Sequence, residues 1–206
     1  MTIAQALIAY VAAAGLLTIT PGLDTAMVVR TMAVEGPRRA ALAAFGIVAG
    51  CLVWGLAVAL GLGVVLGASH LAYTVLKWAG AAYLAWLGIN LIARPRARLD
   101  LAKGAPATGG NWLARGFLTN LLNPKVGVFY VSFLPQFVPA GVPAAPFIVL
   151  LAAIHGVLGL AWFAALILAG APLRRWIEGG RVMRWLDRIT GAVFLGFGLR
   201  LALDRR

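Results

Sequence analysis

Two long segments without a charged residue constrain the fold of this chain more than any other feature. Ala40 to Gly67 contains no Asp, Glu, Lys or Arg, and neither does Val126 to Leu173, which is 48 residues long. A membrane-spanning helix needs about 20 apolar residues, so each segment is long enough to cross a bilayer. Soluble domains are about a quarter charged, whereas this chain is 12% charged and 62% hydrophobic. The sequence therefore predicts an all-α integral membrane protein.

Six apolar segments are predicted to be transmembrane helices. The sixth contains several charged residues, and taken alone it is equally compatible with an amphipathic helix at the membrane surface. The internal repeat described next favours a sixth span. The predicted spans lie near Ile3–Arg30, Ala40–Gly67, Leu71–Ala93, Trp112–Val138, Ala144–Leu173 and Val182–Leu203.

The two halves of the chain share a weak internal repeat. The segment from Lys77 to Leu84 resembles the segment from Arg188 to Leu195: in both, a cation precedes a glycine by three residues, and an aromatic residue follows three later. Three spans per half is an odd number, so the halves must be inverted relative to each other. We predict one transmembrane domain over residues 1–206, with repeat one at 1–93, a linker at 94–111 and repeat two at 112–206.

The basic residues are distributed unequally between the two predicted membrane faces. The net charge of +12 does not indicate nucleic-acid binding, because these residues lie in short connectors between apolar spans. Cytoplasmic connectors are enriched in Lys and Arg, so we predict that both termini lie outside. The thirteen residues assigned to the cytoplasmic face are Arg30, Arg38, Arg39, Arg94, Arg96, Arg98, Lys103, Arg115, Arg174, Arg175, Arg181, Arg184 and Arg188. The four on the opposite face are Lys77, Arg200, Arg205 and Arg206.

Two proline-containing breaks interrupt the first and fourth spans at matching places. Thr20-Pro21-Gly22 and Asn123-Pro124-Lys125 each place a good N-cap residue before a proline, which predicts a helix start within the membrane. Backbone groups exposed by such a break are tolerated only where protein or a polar cavity satisfies them. Broken helices in corresponding positions of two repeats indicate the binding site of a secondary transporter.

Each break carries an ionisable residue that is a candidate for substrate binding or coupling. Asp24 is predicted to lie in the first turn after the first break, where the helix N-terminus favours a negative charge. Lys125 is predicted at the start of the second half-helix, where helix stability provides no reason for a cation, so a visiting carboxylate is the favoured explanation. The alternatives are that Asp24 is a structural cap, that the two residues pair with each other, or that Lys125 extends to an interface.

Several other polar residues lie in apolar segments. Asn123 is a predicted cap, and Asn120 is expected to line a cavity or to bond to a neighbouring helix. His155 is a candidate proton relay, with hydrogen bonding between helices as the alternative. The single cysteine, Cys51, is predicted to be a packing residue. We find no catalytic constellation, metal-ligand cluster or cofactor motif, so the expected protein is not an enzyme and uses no metal or cofactor.

Short motifs around these residues resemble those of the lysine-exporter (LysE/RhtB-type) amino-acid efflux family. Thr20 to Asp24 resembles its threonine-proline-glycine-proline-(asparagine or aspartate) signature, with Leu23 in place of the second proline. Gly116 to Lys125, followed by Phe133 to Phe137, is similar to its second signature, and Lys77 to Leu84 is similar to its third-span pattern. The resemblance covers essentially the whole chain.

The resemblance implies export of amino acids or close derivatives across a bacterial cytoplasmic membrane, driven by the proton gradient. The expected partners are the amino acid, protons and membrane lipid, with a homodimer left open. The residues expected to bind substrate or couple its transport are Thr20, Pro21, Gly22, Asp24, Asn120, Asn123, Pro124 and Lys125. Two alternatives remain: a channel-like facilitator for small solutes built on the same helices, and a membrane assembly subunit that transports nothing.

Overall fold

The structure is a computed structural model that describes residues 1–68, 70–95, 110–178 and 180–203. Within these residues the regular structure is helical, without strands. All six predicted segments are confirmed as helices, and the breaks predicted in the first and fourth are confirmed. Most of the predicted linker, and the C-terminal residues 204–206, lie outside the described residues. The helices are α1 (Ile3–Ile19), α2 (Leu23–Glu35), α3 (Pro37–Ala68), α4 (His70–Ala93), α5 (Trp112–Leu121), α6 (Pro124–Val128), α7 (Ala144–Glu178) and α8 (Gly180–Leu203).

Helices α1 and α2 form one bent element with an angle of 50° between them. The prediction that Thr20 caps the second half of this element was wrong. Thr20 is the C-cap of α1, and Gly22 is the N-cap of α2. The pyrrolidine ring of Pro21 disfavours helical geometry at the residue before it, and Thr20 is accordingly extended. Gly22 is extended as well, so the helix restarts only after it.

The second broken element follows the sequence prediction more closely. Asn123 is the N-cap of α6, Pro124 occupies the first turn, and the Asn123 side chain accepts a hydrogen bond from the Lys125 backbone N–H at 3.1 Å. The helix then widens into a π-helical stretch, Phe129–Phe133, and tightens into a 3-10 turn, Leu134–Phe137. Such π-helical segments are rare and frequently occur at functional sites.

The long helices pack closely, in part through glycines. A Cβ atom at Gly46 of α3 would lie 2.0 Å from the backbone oxygen of Leu113, so α3 and α5 approach backbone to backbone. Small residues permit such close approach between membrane helices. Helices α3 and α7 run antiparallel, since Val48 lies against Gly156 whereas Gly55, further along α3, lies against the earlier residue Ala152.

Helices α4 and α8 also form an antiparallel pair. Gly88 of α4 approaches Gly191 of α8, and the later residue Gly198 approaches the earlier residue Ala81. A Cβ atom at either Gly88 or Gly191 would lie 2.7 Å from the other glycine's carbonyl oxygen. The two helices therefore cross at a contact that a larger residue would open.

An aromatic cluster fills the space beyond the second break. The rings of Phe129 and Phe133 stack with centroids 4.8 Å apart, and the ring centroids of Phe133 and Phe197 of α8 lie 4.0 Å apart. Tyr10 of α1 meets Phe137 edge to face at 5.3 Å. This cluster joins α1, α8 and the irregular end of the fourth segment into one core, so the two halves of the chain are packed together.

Two helices in the described part of the chain are long and apolar enough to cross a membrane. They cover Pro37–Gly61 of α3 and Ala144–Ala169 of α7, and the bent pair α1–α2 is a third if it is counted as one span. A shorter apolar helix covers Trp78–Ala93. The fold is therefore that of a helical membrane protein, and the count of six spans remains a prediction.

Candidate functional site

Asp24 lies in the first turn of α2 and receives hydrogen bonds from the other half of the chain. Its Oδ2 accepts from Asn120 Nδ2 at 2.8 Å, and its Oδ1 accepts from Asn123 Nδ2 at 3.3 Å. Asn120 is fully buried and Asn123 nearly so. Two buried amides, about 100 residues away in sequence, therefore fix the position of this carboxylate. All three are predicted site residues, and the structure brings them together.

Lys125 extends from the start of α6 to the end of α1. Its Nζ donates to the carbonyl oxygen of Thr20 at 2.9 Å and to that of Leu17 at 3.3 Å. In an uninterrupted helix, the backbone N–H of residue 21 would bind the carbonyl of Leu17, but Pro21 has no N–H. The lysine ammonium takes the place of this missing donor.

This contact corrects the prediction that helix stability gives no reason for a cation at position 125. The charge of Lys125 is unfavourable at the N-terminus of its own helix, α6. It is favourable at the C-terminus of α1, where unpaired carbonyls carry partial negative charge. The reason was invisible in the sequence because the two helix ends belong to opposite halves of the chain.

Asn123 connects the two charged residues. Its Nδ2 donates to Asp24, while its Oδ1 accepts from the backbone N–H of Lys125. The first break is thus held by groups of the second half: Asp24 by Asn120 and Asn123, and the α1 carbonyls by Lys125. We call this set of contacts the cross-brace. It gives the Leu17 and Thr20 carbonyls at the first break a donor within an apolar segment, as a break at membrane depth requires.

A small cavity lies beside the cross-brace, and the polar residues in its lining include Asp24 and Lys125. Helix α3 contributes Cys51, and α7 contributes His155 and Gly159. The cavity volume is about 50 Å³, which is enough for a few water molecules. Ligand pockets are typically roughly 300–1,000 Å³. An amino acid could enter here only if the surrounding helices moved apart.

His155 is buried and forms a hydrogen bond that the sequence did not predict. Its Nδ1 lies 2.9 Å from the hydroxyl of Tyr130, which belongs to the π-helical stretch. The ring of His155 also packs against Phe129, with centroids 5.4 Å apart. His155 therefore bonds to another element and lines the cavity beside the cross-brace, while its role as a proton relay stays a prediction.

Three residues at the site were not singled out as functional by the sequence analysis. Tyr130 partners His155, and Cys51 Sγ lies 3.4 Å from Asn120 Nδ2. The Thr190 hydroxyl on α8 lies 2.5 Å from the Thr20 hydroxyl. Thr190 sits within the repeated segment that was used to align the halves, but its contact with the first break depends on the packing of α8. Cys51, predicted as a packing residue, is buried and also lines the cavity.

A larger and more apolar cavity of about 480 Å³ lies on the other side of the second break. Its lining includes Asn123 and Pro124 of the break, Ala79 of α4 and Trp54 of α3. Asn123 therefore lines both cavities. The Trp54 ring fills the space beside Gly127, where a Cβ atom would lie 2.8 Å from it.

Comparisons with known proteins point to one family. A family model described as LysE type translocator matches residues 16–205. The chain is 30% identical to the uncharacterized membrane protein YrhP of Bacillus subtilis (strain 168), over 97% of this chain and 100% of that protein. It is 31% identical to a threonine efflux protein of Salmonella typhi, over 90% of this chain and 92% of that protein. It is 31% identical to a homoserine/homoserine lactone efflux protein of Salmonella typhi, over 96% of both chains. No solved structure matches the chain.

Proposed function

Because the chain belongs to the LysE type translocator family, we propose that it is a secondary active exporter of amino acids or close derivatives. The proposed driving force is the proton gradient across a bacterial cytoplasmic membrane. Two relatives, which match this chain over more than nine-tenths of their own length, are named for efflux of threonine and of homoserine or its lactone. Small amino acids with a hydroxyl-bearing side chain, and their lactones, are therefore the first substrates to test.

The observation that carries this proposal is the cross-brace beside a cavity that Asp24 and Lys125 both line. Asp24 and Lys125 present opposite charges to the same small space, and an amino acid carries an ammonium and a carboxylate. A charged side chain within a membrane is costly and is a functional hypothesis by default. Secondary transporters bind substrates where broken helices from two repeats meet. The geometry fits that pattern better than it fits a purely structural ion network.

We assign roles to the named residues as follows. Asp24 receives the substrate ammonium or a proton, and Asn120 and Asn123 orient it. Lys125 and the unpaired N–H groups at the start of α2 receive the carboxylate. Thr20, Pro21, Gly22 and Pro124 create the helix ends that the site requires. His155 is proposed to relay protons through its contact with Tyr130. A complete cycle requires the cavity to widen, because its present volume fits only water.

We further propose six spans in two inverted repeats, with both termini outside. The antiparallel pairing of α3 with α7 and of α4 with α8 supports inversion, because equivalent helices of inverted repeats cross the membrane in opposite directions. The two proline breaks are 103 residues apart in sequence and meet in space, which also supports the repeat.

Transport by the purified protein in liposomes would test this function. Vesicles loaded with unlabelled threonine or homoserine should accumulate the labelled amino acid by counterflow, and an imposed pH gradient should change the rate. Empty liposomes, and liposomes containing the Asp24→Asn variant, are the controls. A channel-like facilitator would equilibrate the label without responding to the pH gradient. Absence of counterflow with any amino acid would contradict the proposal.

Single cysteines would test the orientation in a Cys51→Ala background. Ala140 lies in the connector before α7 and Arg38 in the first turn of α3. Both residues are exposed, and we assign them to opposite membrane faces. A cysteine at position 140 should react with an impermeant thiol reagent added outside intact cells, and one at position 38 should react only after lysis. The reverse result would invert the topology.

A further inference from the structure

The contact between Lys125 and the end of α1 has the chemistry of a cation site. Helix α1 ends at Ile19, so the carbonyls from Leu17 onwards have no helical N–H partners. The Thr20 N–H and hydroxyl both turn back to the Leu16 carbonyl. The carbonyls of Leu17 and Thr20 are left for the Lys125 ammonium, at 3.3 and 2.9 Å. Two neutral oxygens at the negative end of a helix therefore bind one positive charge.

Carbonyl groups at the C-terminal ends of broken helices bind coupling ions in membrane transporters. Such oxygens coordinate Na⁺ in several transporter folds. Here the same kind of helix end is occupied by an ammonium that is covalently part of the protein. Asp24 lies in the same cavity, and a nearby carboxylate favours any monovalent cation bound at this place.

A glycine of the opposite half lies beside the path of the Lys125 side chain. A Cβ atom at Gly22 would lie 3.8 Å from both Cδ and Nζ of Lys125, so the lysine chain passes directly over this glycine. When the two halves are aligned by the 103-residue offset between the breaks, Gly22 is equivalent in sequence to Lys125, and Asp24 to Gly127. Each half thus carries one charged residue where the other half has a glycine. The lysine of one half lies within ordinary contact distance of the Cβ position of the glycine in the other half.

We propose that the C-terminal end of α1 is a monovalent-cation site that Lys125 fills with a tethered ammonium. Transport therefore requires no sodium ion, and a variant without the ammonium binds a free monovalent cation there. The transport consequence rests on the proposed export function, whereas the cation site itself does not. The ammonium also stays in place during the cycle, so that a substrate carboxylate approaches a cation held at a fixed position.

The first experiment measures thermal unfolding of purified Lys125→Ala in different salts of equal ionic strength. The unfolding temperature of this variant should rise with the concentration of sodium or methylammonium chloride relative to choline chloride, because a ligand that binds only the folded state stabilises it by mass action. Choline is too large to fit between the carbonyls. The wild-type protein should show no such difference.

Val126→Ala is the matched control, since Val126 is the next residue of α6 and lines the same cavity. It should lower the unfolding temperature equally in all salts. Lys125→Gln, which keeps a neutral donor, is measured in the same way in case Lys125→Ala does not fold in choline. Lysine variants that unfold at one temperature in every salt, or that stay unfolded in all of them, would overturn the proposal. So would an equal cation response in Val126→Ala.

Export by the wild-type protein provides the second measurement. Replacing all sodium with choline should leave the rate of amino-acid counterflow in liposomes unchanged. Export that stops without sodium would overturn the tethered-cation proposal while leaving the export function standing. If the wild-type protein exports no tested amino acid in any salt, the export function fails, and the unfolding experiment still decides whether the cation site exists.

Discussion

The two helix breaks have similar sequences but are stabilised in different ways. At the second break, Asn123 caps α6 through its own side chain, and its backbone N–H binds the carbonyl of Asn120 at 3.0 Å. At the first break, the N-cap is Gly22, which provides no side-chain cap. There the carbonyls at the end of α1 depend on Lys125, which is 105 residues from Thr20 in sequence.

This difference shows that the second break is formed by local contacts and the first by contacts with the opposite half. A proline preceded by asparagine can cap the helix that follows without help from elsewhere. Pro21 is followed by a glycine without a capping group, so its helix ends need partners from the rest of the fold. The first break is therefore expected to be the more sensitive of the two to changes at the interface between halves.

The surroundings of the two breaks differ as well. Thr190 of α8 closes over the first break through its hydrogen bond to Thr20. The equivalent position in the first repeat is Ala79 of α4, which lies in the wall of the 480 Å³ cavity beside Asn123. The Thr190 hydroxyl therefore bonds to the first break. The methyl group of Ala79 makes no such bond, and the second break lies beside a cavity.

The largest expected effect follows from removing the charge at the first break. Asp24→Asn should fold normally but export amino acids about tenfold to a hundredfold more slowly. The substrate ammonium would lose its hydrogen bond to a charged carboxylate, and such a bond contributes about 1.5–3 kcal/mol. Asparagine cannot take up a proton, so any remaining export should lose its dependence on the pH gradient. Counterflow and pH-driven export in liposomes measure both effects. Wild-type rates with wild-type pH dependence would remove Asp24 from the mechanism.

The glycines paired with the charged residues should respond unequally to alanine. In Gly127→Ala, the new Cβ would lie 2.8 Å from the Trp54 ring, and such overpacking costs about 1–3 kcal/mol. In Gly22→Ala, the new Cβ would meet the Lys125 side chain at 3.8 Å, an ordinary contact with little cost. Unfolding temperatures in detergent should therefore fall for Gly127→Ala only. Equal loss in both variants would show that the lysine chain packs more tightly than the structure indicates.

Asn123→Ala should show that this N-cap does more than begin α6. Loss of an N-cap costs about 1 kcal/mol, and the Asp24 carboxylate would also lose one of its two amide donors. The matched control is Asn111→Ala, which removes the N-cap of α5 at an exposed position. Thermal unfolding should show a cost of about 2 kcal/mol for Asn123→Ala and about 1 kcal/mol for Asn111→Ala. Equal costs would mean that the contact with Asp24 contributes nothing.

The smallest effect is expected where α8 closes over the first break. Thr190→Val keeps the shape of the side chain but removes the hydroxyl that bonds to Thr20, at a cost of about 1 kcal/mol. Thr190→Ser, which keeps the hydroxyl, should retain most of the stability. If both variants unfold at the same temperature, the loss comes from packing and the hydrogen bond does not stabilise the break.

Most of the architecture was predictable because it follows from apolar length and from proline chemistry. The six helical segments, the breaks at Pro21 and Pro124 and the cap at Asn123 are confirmed by the structure. Membership of the family that the motifs resemble is confirmed by the family match over residues 16–205. The prediction for Thr20 was wrong because a proline can follow either the N-cap of the next helix or the C-cap of the preceding one, and Thr20 is a C-cap. Which one applies depends on backbone angles that the local sequence does not specify.

The sequence by itself determined which residues carry charge into the apolar segments and where the helices break, because these depend on residue type and local geometry. Only the tertiary structure decided how the charges are used. It brought Asp24 to the amides of Asn120 and Asn123, and Lys125 to the carbonyls that Pro21 leaves unpaired. Buried polar groups must find partners, but the nearest partner in space can be 100 residues away along the chain. That choice is made by the packing of one half of the protein against the other.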